Sequence, residues 1–136
     1  MIEWSTEIPF EEDEIGREVP GKAGVYQILQ YEEYPRYVGK TRILKIGKSD
    51  SSLRQEILNH FGRHAVANRL ARIRNVEGTR VTVVFATISN EKTAETEKKL
   101  LRCFEDAHWD LPVLNSQRGY ERDKDKDYRR LSHRAS

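Results

Sequence analysis

From Gly24 to Gln30 the side chains alternate, Val25, Gln27 and Leu29 lying opposite Tyr26, Ile28 and Gln30, which is the two-residue period of a strand. Pro20-Gly21 punctuates the chain just before it, and a polar loop, YEEYPR, follows. Arg42 to Ser49 has the same period, with Ile43, Lys45 and Gly47 on one side and Leu44, Ile46 and Lys48 on the other. The β-branched run Val81 to Ile88 predicts a third strand, entered from Gly78. Between the second and third strands the period becomes helical. Leu53, Ile57, Leu58 and Phe61 recur at helix spacing behind Ser51-Ser52, whose hydroxyls suit an N-cap, and Gly62 ends or bends that helix. Val66, Leu70 and Ile73 continue the pattern over Ala65 to Arg74. A last helix, capped by Ser89 or Asn90, runs to about Ala107 with Leu100, Leu101 and Phe104 facing inward. No internal repeat is present. The order predicts an α+β domain, a small three-stranded, mostly antiparallel sheet flanked by helices. It occupies residues 21–120, preceded by an acidic lead-in (1–20) with the apolar anchors Trp4 and Phe10. Residues 121–136 mix both charge signs with almost nothing apolar and read as a flexible tail.

Composition narrows the function classes. At 136 residues, 37% of them hydrophobic, the chain fills one modest core. Its apolar runs are only a few residues long, Val83 to Ala86 being typical, so no membrane span is expected. The start, MIEWSTEIPFEEDE, has neither the basic residues nor the apolar stretch of a secretory leader. A single cysteine, Cys103, allows no internal disulfide and no four-cysteine zinc site, and fits a cytoplasmic setting. The formal charge of +2 conceals an asymmetry. Residues 1–20 carry seven acidic side chains against Arg17, a net of −6; residues 36–80 carry eleven basic ones against Asp50, Glu56 and Glu77, a net of +8. A basic middle of this kind suits a polyanion, since Lys and Arg on phosphates release condensed counterions, but charge alone describes a solvated helix face equally well. The candidate nucleic-acid contacts are Lys40, Arg42, Lys48, Arg69, Arg72 and Arg74.

Two short motifs suggest nucleotide chemistry and fail on spacing. Gly39-Lys40-Thr41 and Gly47-Lys48-Ser49 match the end of a phosphate-binding loop, which also requires a glycine five residues earlier. Those positions hold Tyr34 and Arg42. His60 and His64, four residues apart, lack a third ligand and the glutamate of a zinc-protease helix. On the residues alone, His60 among Ile57, Leu58 and Phe61 is a packing histidine.

Read together, Gly24-Val25-Tyr26, then Lys45-Ile46-Gly47, a helix bearing Leu53 and His60, Glu97 followed by Leu100-Leu101, and Pro112-Val113-Leu114-Asn115 resemble the GIY-YIG nuclease superfamily over roughly residues 20–120. The resemblance implies a three-stranded antiparallel sheet flanked by helices and metal-assisted hydrolysis of DNA phosphodiesters. That reaction needs charge neutralisation, an activated water and a stabilised leaving oxygen. By the resemblance, Glu97 binds one divalent ion, Mg²⁺ or Mn²⁺, whose preference for carboxylate and water fits. Tyr26 activates or orients the attacking water, His60 bonds that phenol or the phosphate, and Asn115 positions loops near the site.

The chain departs from the family pattern twice. The tyrosine of Y-I-G is Lys45 if Lys45-Ile46-Gly47 fills that slot, or Tyr37 if Tyr37-Val38-Gly39 fills it with residues 40–50 inserted. Where the family carries an arginine four residues before the histidine, this chain has Glu56; Arg54 lies about 200° round the helix from that face, and Arg63 is a further candidate. The expectations are thus a metal-dependent DNA endonuclease domain, its specificity from loops, basic helices or homodimerisation, or a catalytically silent module of the same fold that binds nucleic acid. A protein-interaction domain with an incidental basic face is the third.

Overall fold

The computed structural model describes residues 2–115. Strands β1 (Ile8–Pro9), β2 (Gly24–Pro35), β3 (Lys40–Ser49) and β4 (Val81–Thr87) form one sheet. Four helices accompany it: α1 (Glu12–Glu18), α2 (Leu53–Leu58), α3 (Ala65–Asn75) and α4 (Thr93–His108). Single 3₁₀ turns follow at Asn59–Phe61 and Val113–Asn115. Every pairing is antiparallel and the strand order is β1-β4-β2-β3, so the chain is α+β with an open sheet. Among the described residues no helix is long and apolar enough to cross a membrane.

The three expected strands are present, and the sheet has a fourth. Ile8 pairs with Val83, and the amide of Phe10 donates to the Val81 carbonyl at 3.0 Å. Ile15 on α1 and Val19 just past its end are fully buried, and Phe10 stacks on Phe61 with ring centroids 4.5 Å apart. The acidic lead-in therefore builds part of the core, its carboxylates facing outward. Trp4, by contrast, is only half-buried. A two-residue strand has no period to detect, and one apolar residue in a seven-residue helix gives little more.

The segment expected to loop after Gln30 instead extends β2 to Pro35, as the outer half of a hairpin with β3. Tyr31, Glu32 and Glu33 are exposed there and only Tyr34 packs partly against the core, so no alternation betrays the strand. The hairpin turns at Arg36–Gly39, where Gly39 takes φ = 72°. Ser52 caps α2, its hydroxyl accepting the Gln55 amide at 3.2 Å. Helix α4 starts at Thr93, later than Ser89 or Asn90 would set it; the Asn90 carbonyl accepts the Thr93 hydroxyl instead.

At the start of β2 the sheet and α2 come close. A Cβ on Gly24 would lie 2.2 Å from the Ala86 carbonyl oxygen and 2.7 Å from Leu53 Cδ1, so only glycine fits. Leu53, Ile57 and Leu70 join Tyr26, Ile28 and Val83 in the principal core cluster. The anticipated tail at 121–136, and the last residues of the domain expected over 21–120, lie outside the described residues.

Candidate active site

Tyr26 stands directly opposite Gly47 on β3, and Ile28 opposite Lys45. Paired residues of neighbouring strands share a face, so Tyr26, Gly47 and Lys45 are brought together by register alone. The fit is close: a Cβ on Gly47 would lie 2.4 Å from both Cζ and Oη of Tyr26. The K-I-G glycine is thus the floor under the G-V-Y phenol. Tyr37 lies at the far hairpin turn, 78% exposed and stacked on Trp109, and the structure does not bring it to the cluster.

From the other side α2 and the 3₁₀ turn that continues it deliver two groups four residues apart, Glu56 and His60. His60 Nε2 lies 2.8 Å from Tyr26 Oη, and the phenol donates to Glu56 Oε2 at 3.0 Å. An ionised carboxylate only accepts, so the phenol's one proton goes to Glu56. His60 must then donate Nε2–H to the phenol oxygen, which assigns its tautomer and leaves Nδ1 a buried acceptor with no partner. Burial, helped by the charge of Lys45 and by His64, lowers the His60 pKa to about 4, so the ring is neutral at pH 7. Burial first, then the Glu56 carboxylate and Glu97, raise the Tyr26 phenol well above its usual value.

Glu97, on the second turn of α4, is half-buried on the same side. Burial raises its carboxyl, Lys45 and Lys48 pull it down, and Glu56 and Asp50 push it up. Lys45 is lowered by burial against the attraction of Glu97 and Glu56. These mutual influences tie β2, β3, α2 and α4 into one cluster of a phenol, an imidazole, an ammonium and two carboxylates. Neither Glu97 nor Lys45 is within ion-pair distance of a described partner. Among the described residues no three metal-ligating side chains gather. Glu97 could therefore hold an ion that keeps most of its waters, and the set does not suit one that needs a protein cage.

Asn115 is structural as well as nearby. Its Oδ1 accepts the Ile46 amide at 2.7 Å and its Nδ2 donates to the Ile46 carbonyl at 2.9 Å, gripping β3 between Lys45 and Gly47. Arg54 is spent elsewhere, its Nε donating to the Val19 carbonyl at 2.8 Å. Arg63 is exposed and pairs with no described carboxylate.

The expected phosphate contacts divide. Arg42 donates to Glu7 and to the Gln30 carbonyl, and Lys48 holds Asp50, which in turn accepts from Thr93. Arg74 lies over the rings of Phe10 and Phe61. Lys40, Arg69 and Arg72 are exposed and form no ion pair with a described residue. Residues 59–76 contain four arginines and no acid, so α3 presents an uncompensated basic face directly after His60.

The contact that sequence reasoning did not anticipate is Glu56 on Tyr26. Its spacing to His60 was the available signal, since residues four apart share a helix face. Against known proteins the chain finds no counterpart: no family model, curated protein or solved structure matches it.

Proposed function

We propose that this chain is a metal-dependent DNA endonuclease domain of the GIY-YIG type, hydrolysing phosphodiester bonds at the cluster around Tyr26. One observation carries the reading. Groups separated by up to seventy-one residues, Tyr26, Lys45, His60 and Glu97, converge from two strands and two helical segments on one half-buried place. A packed core has no use for an ammonium, a phenol, an imidazole and two carboxylates near enough to act on one another's charge, because each costs desolvation.

In this reading Glu97 holds Mg²⁺ or Mn²⁺, and the ion, when bound, neutralises charge on the scissile phosphate. Lys45, the other cation at the site, attracts the phosphate as a point charge from β3. Tyr26 orients the attacking water through its oxygen, and neutral His60 fixes that oxygen by donating Nε2–H. The free arginines of α3 bind flanking phosphates. Plasmid nicking with Mg²⁺ and Mn²⁺, wild type against Glu97→Ala, tests the assignment: loss of metal-dependent nicking is expected, and unchanged nicking refutes it.

A second reading, a silent module that only binds nucleic acid, is favoured by Glu56, a carboxylate where a phosphate would dock. It predicts DNA retention that falls steeply with salt, and no cutting by any variant.

A further inference from the structure

The oxygen of Tyr26 has three places for hydrogen-bonding partners, and the protein fills two of them itself. One holds His60 Nε2 and the other Glu56 Oε2. Tyr26, packed in the core, has no exposed surface, while the Glu56 side chain is 36% exposed. The carboxylate therefore lies between the phenol and solvent. It has no cationic partner: the nearest ring nitrogen, 4.0 Å away, belongs to a neutral imidazole. An anion held by a phenol donor, within the electrostatic reach of the partly buried Lys45 ammonium, is bound much as one oxygen of a phosphodiester would be.

We infer that Glu56 is a built-in anion seated against Tyr26 where the reacting phosphate and its attacking water must come, so that the resting site is closed by one of its own side chains. The inference rests on the hydrolytic reading above and concerns the regulation of that same site. A phosphodiester reaches the phenol only when Glu56 turns out into solvent. Until it does, its charge repels the phosphate, and its bulk denies water the phenol oxygen.

The test uses the full chain with Glu56→Ala, which removes charge and bulk, and Glu56→Gln, which keeps the shape. Binding of a short DNA duplex is measured without metal at fixed salt, and plasmid nicking with Mg²⁺. Both variants should bind about tenfold tighter, as expected for one like charge removed from a partly exposed site, and both should nick faster, Ala more than Gln. Unchanged binding and nicking overturn the inference, and leave the hydrolytic reading intact if the wild type cuts and Glu97→Ala does not. Loss of nicking in both variants also overturns it, since Glu56 would then be the acceptor through which Tyr26 passes on its proton. Tighter binding with no cutting by any protein supports the occupied seat and removes the hydrolytic reading alone.

Discussion

Gly47→Ala places a methyl group where the Tyr26 ring already is. The added Cβ would lie 2.4 Å from Cζ and Oη and 2.7 Å from Cε1, against an ordinary carbon–carbon contact of about 3.5–4 Å. Neither side can easily yield. Tyr26 is fully buried, and its strand is paired on both sides, to Gly47 on β3 and to Phe85 on β4. Overpacking of this kind costs about 2 kcal/mol. Displacing the phenol also breaks its bonds to Glu56 and His60, for about 2 kcal/mol more. Relief of the glycine's strand penalty returns about 1 kcal/mol, which leaves a destabilisation of about 3 kcal/mol. Urea unfolding followed by circular dichroism measures it directly, and thermal unfolding should show a fall of roughly 10–13 °C. The cause is isolated by a double-mutant cycle with Tyr26→Ala, in which the second substitution finds the space vacated and costs nothing. A Gly47→Ala protein within about 0.5 kcal/mol of wild type, or the same loss with the ring already removed, would refute the packing of Tyr26 on Gly47.

Two further outcomes follow from the same cluster. The folded His60 pKa of about 4 lies below its unfolded value near 6.5, so the unfolded chain takes up the proton first as the pH falls. The associated stability is complete above about pH 6.5 and is lost progressively toward pH 4, at most about 3 kcal/mol; urea midpoints at pH 7 and 4.5 should show it, and His60→Gln should flatten that slope. Asn115→Ala leaves the Ile46 amide and carbonyl without their partner and should cost about 2–4 kcal/mol, with the Ile46 amide losing hydrogen-exchange protection before its neighbours in β2.

Where a segment's burial follows its period, the fold was legible in the sequence. Val81 to Thr87 and Gly24 to Gln30 are rich in apolar residues because both faces of these central strands are largely buried, and Leu53, Ile57 and Leu70 recur because α2 and α3 join Tyr26 and Val83 in the core. The lead-in was opaque for the opposite reason: Phe10, Ile15 and Val19 are single apolar positions in an acidic run, and only tertiary packing on Phe61 and Val81 gives them meaning. The outer hairpin was hidden because it is mostly exposed, with Tyr34 alone reaching the core from β2. At the candidate site, the residue types were readable and their partners were not. Arg42 looked like a phosphate ligand until Glu7, thirty-five residues away, was found holding it. Glu56 looked like a gap in a pattern, whereas its meaning is a bond to a phenol thirty residues distant. The register that sets Gly47 beneath Tyr26 decides between Lys45 and Tyr37 as neighbours of that phenol, and register is a property of paired strands, not of either segment alone.

The grip of Asn115 on Ile46 has a consequence for self-association. Strand β3 is the rim of the sheet, ten residues long, and such a rim offers a row of open donors and acceptors to any passing chain. The Asn115 amide answers the Ile46 donor and acceptor together, as a neighbouring strand would, and so blocks the ladder near its middle. The opposite rim is covered by the two residues Ile8–Pro9, and the proline has no amide hydrogen to extend a ladder. At each margin of the described sheet very few residues thereby interrupt the ladder that a further strand would need.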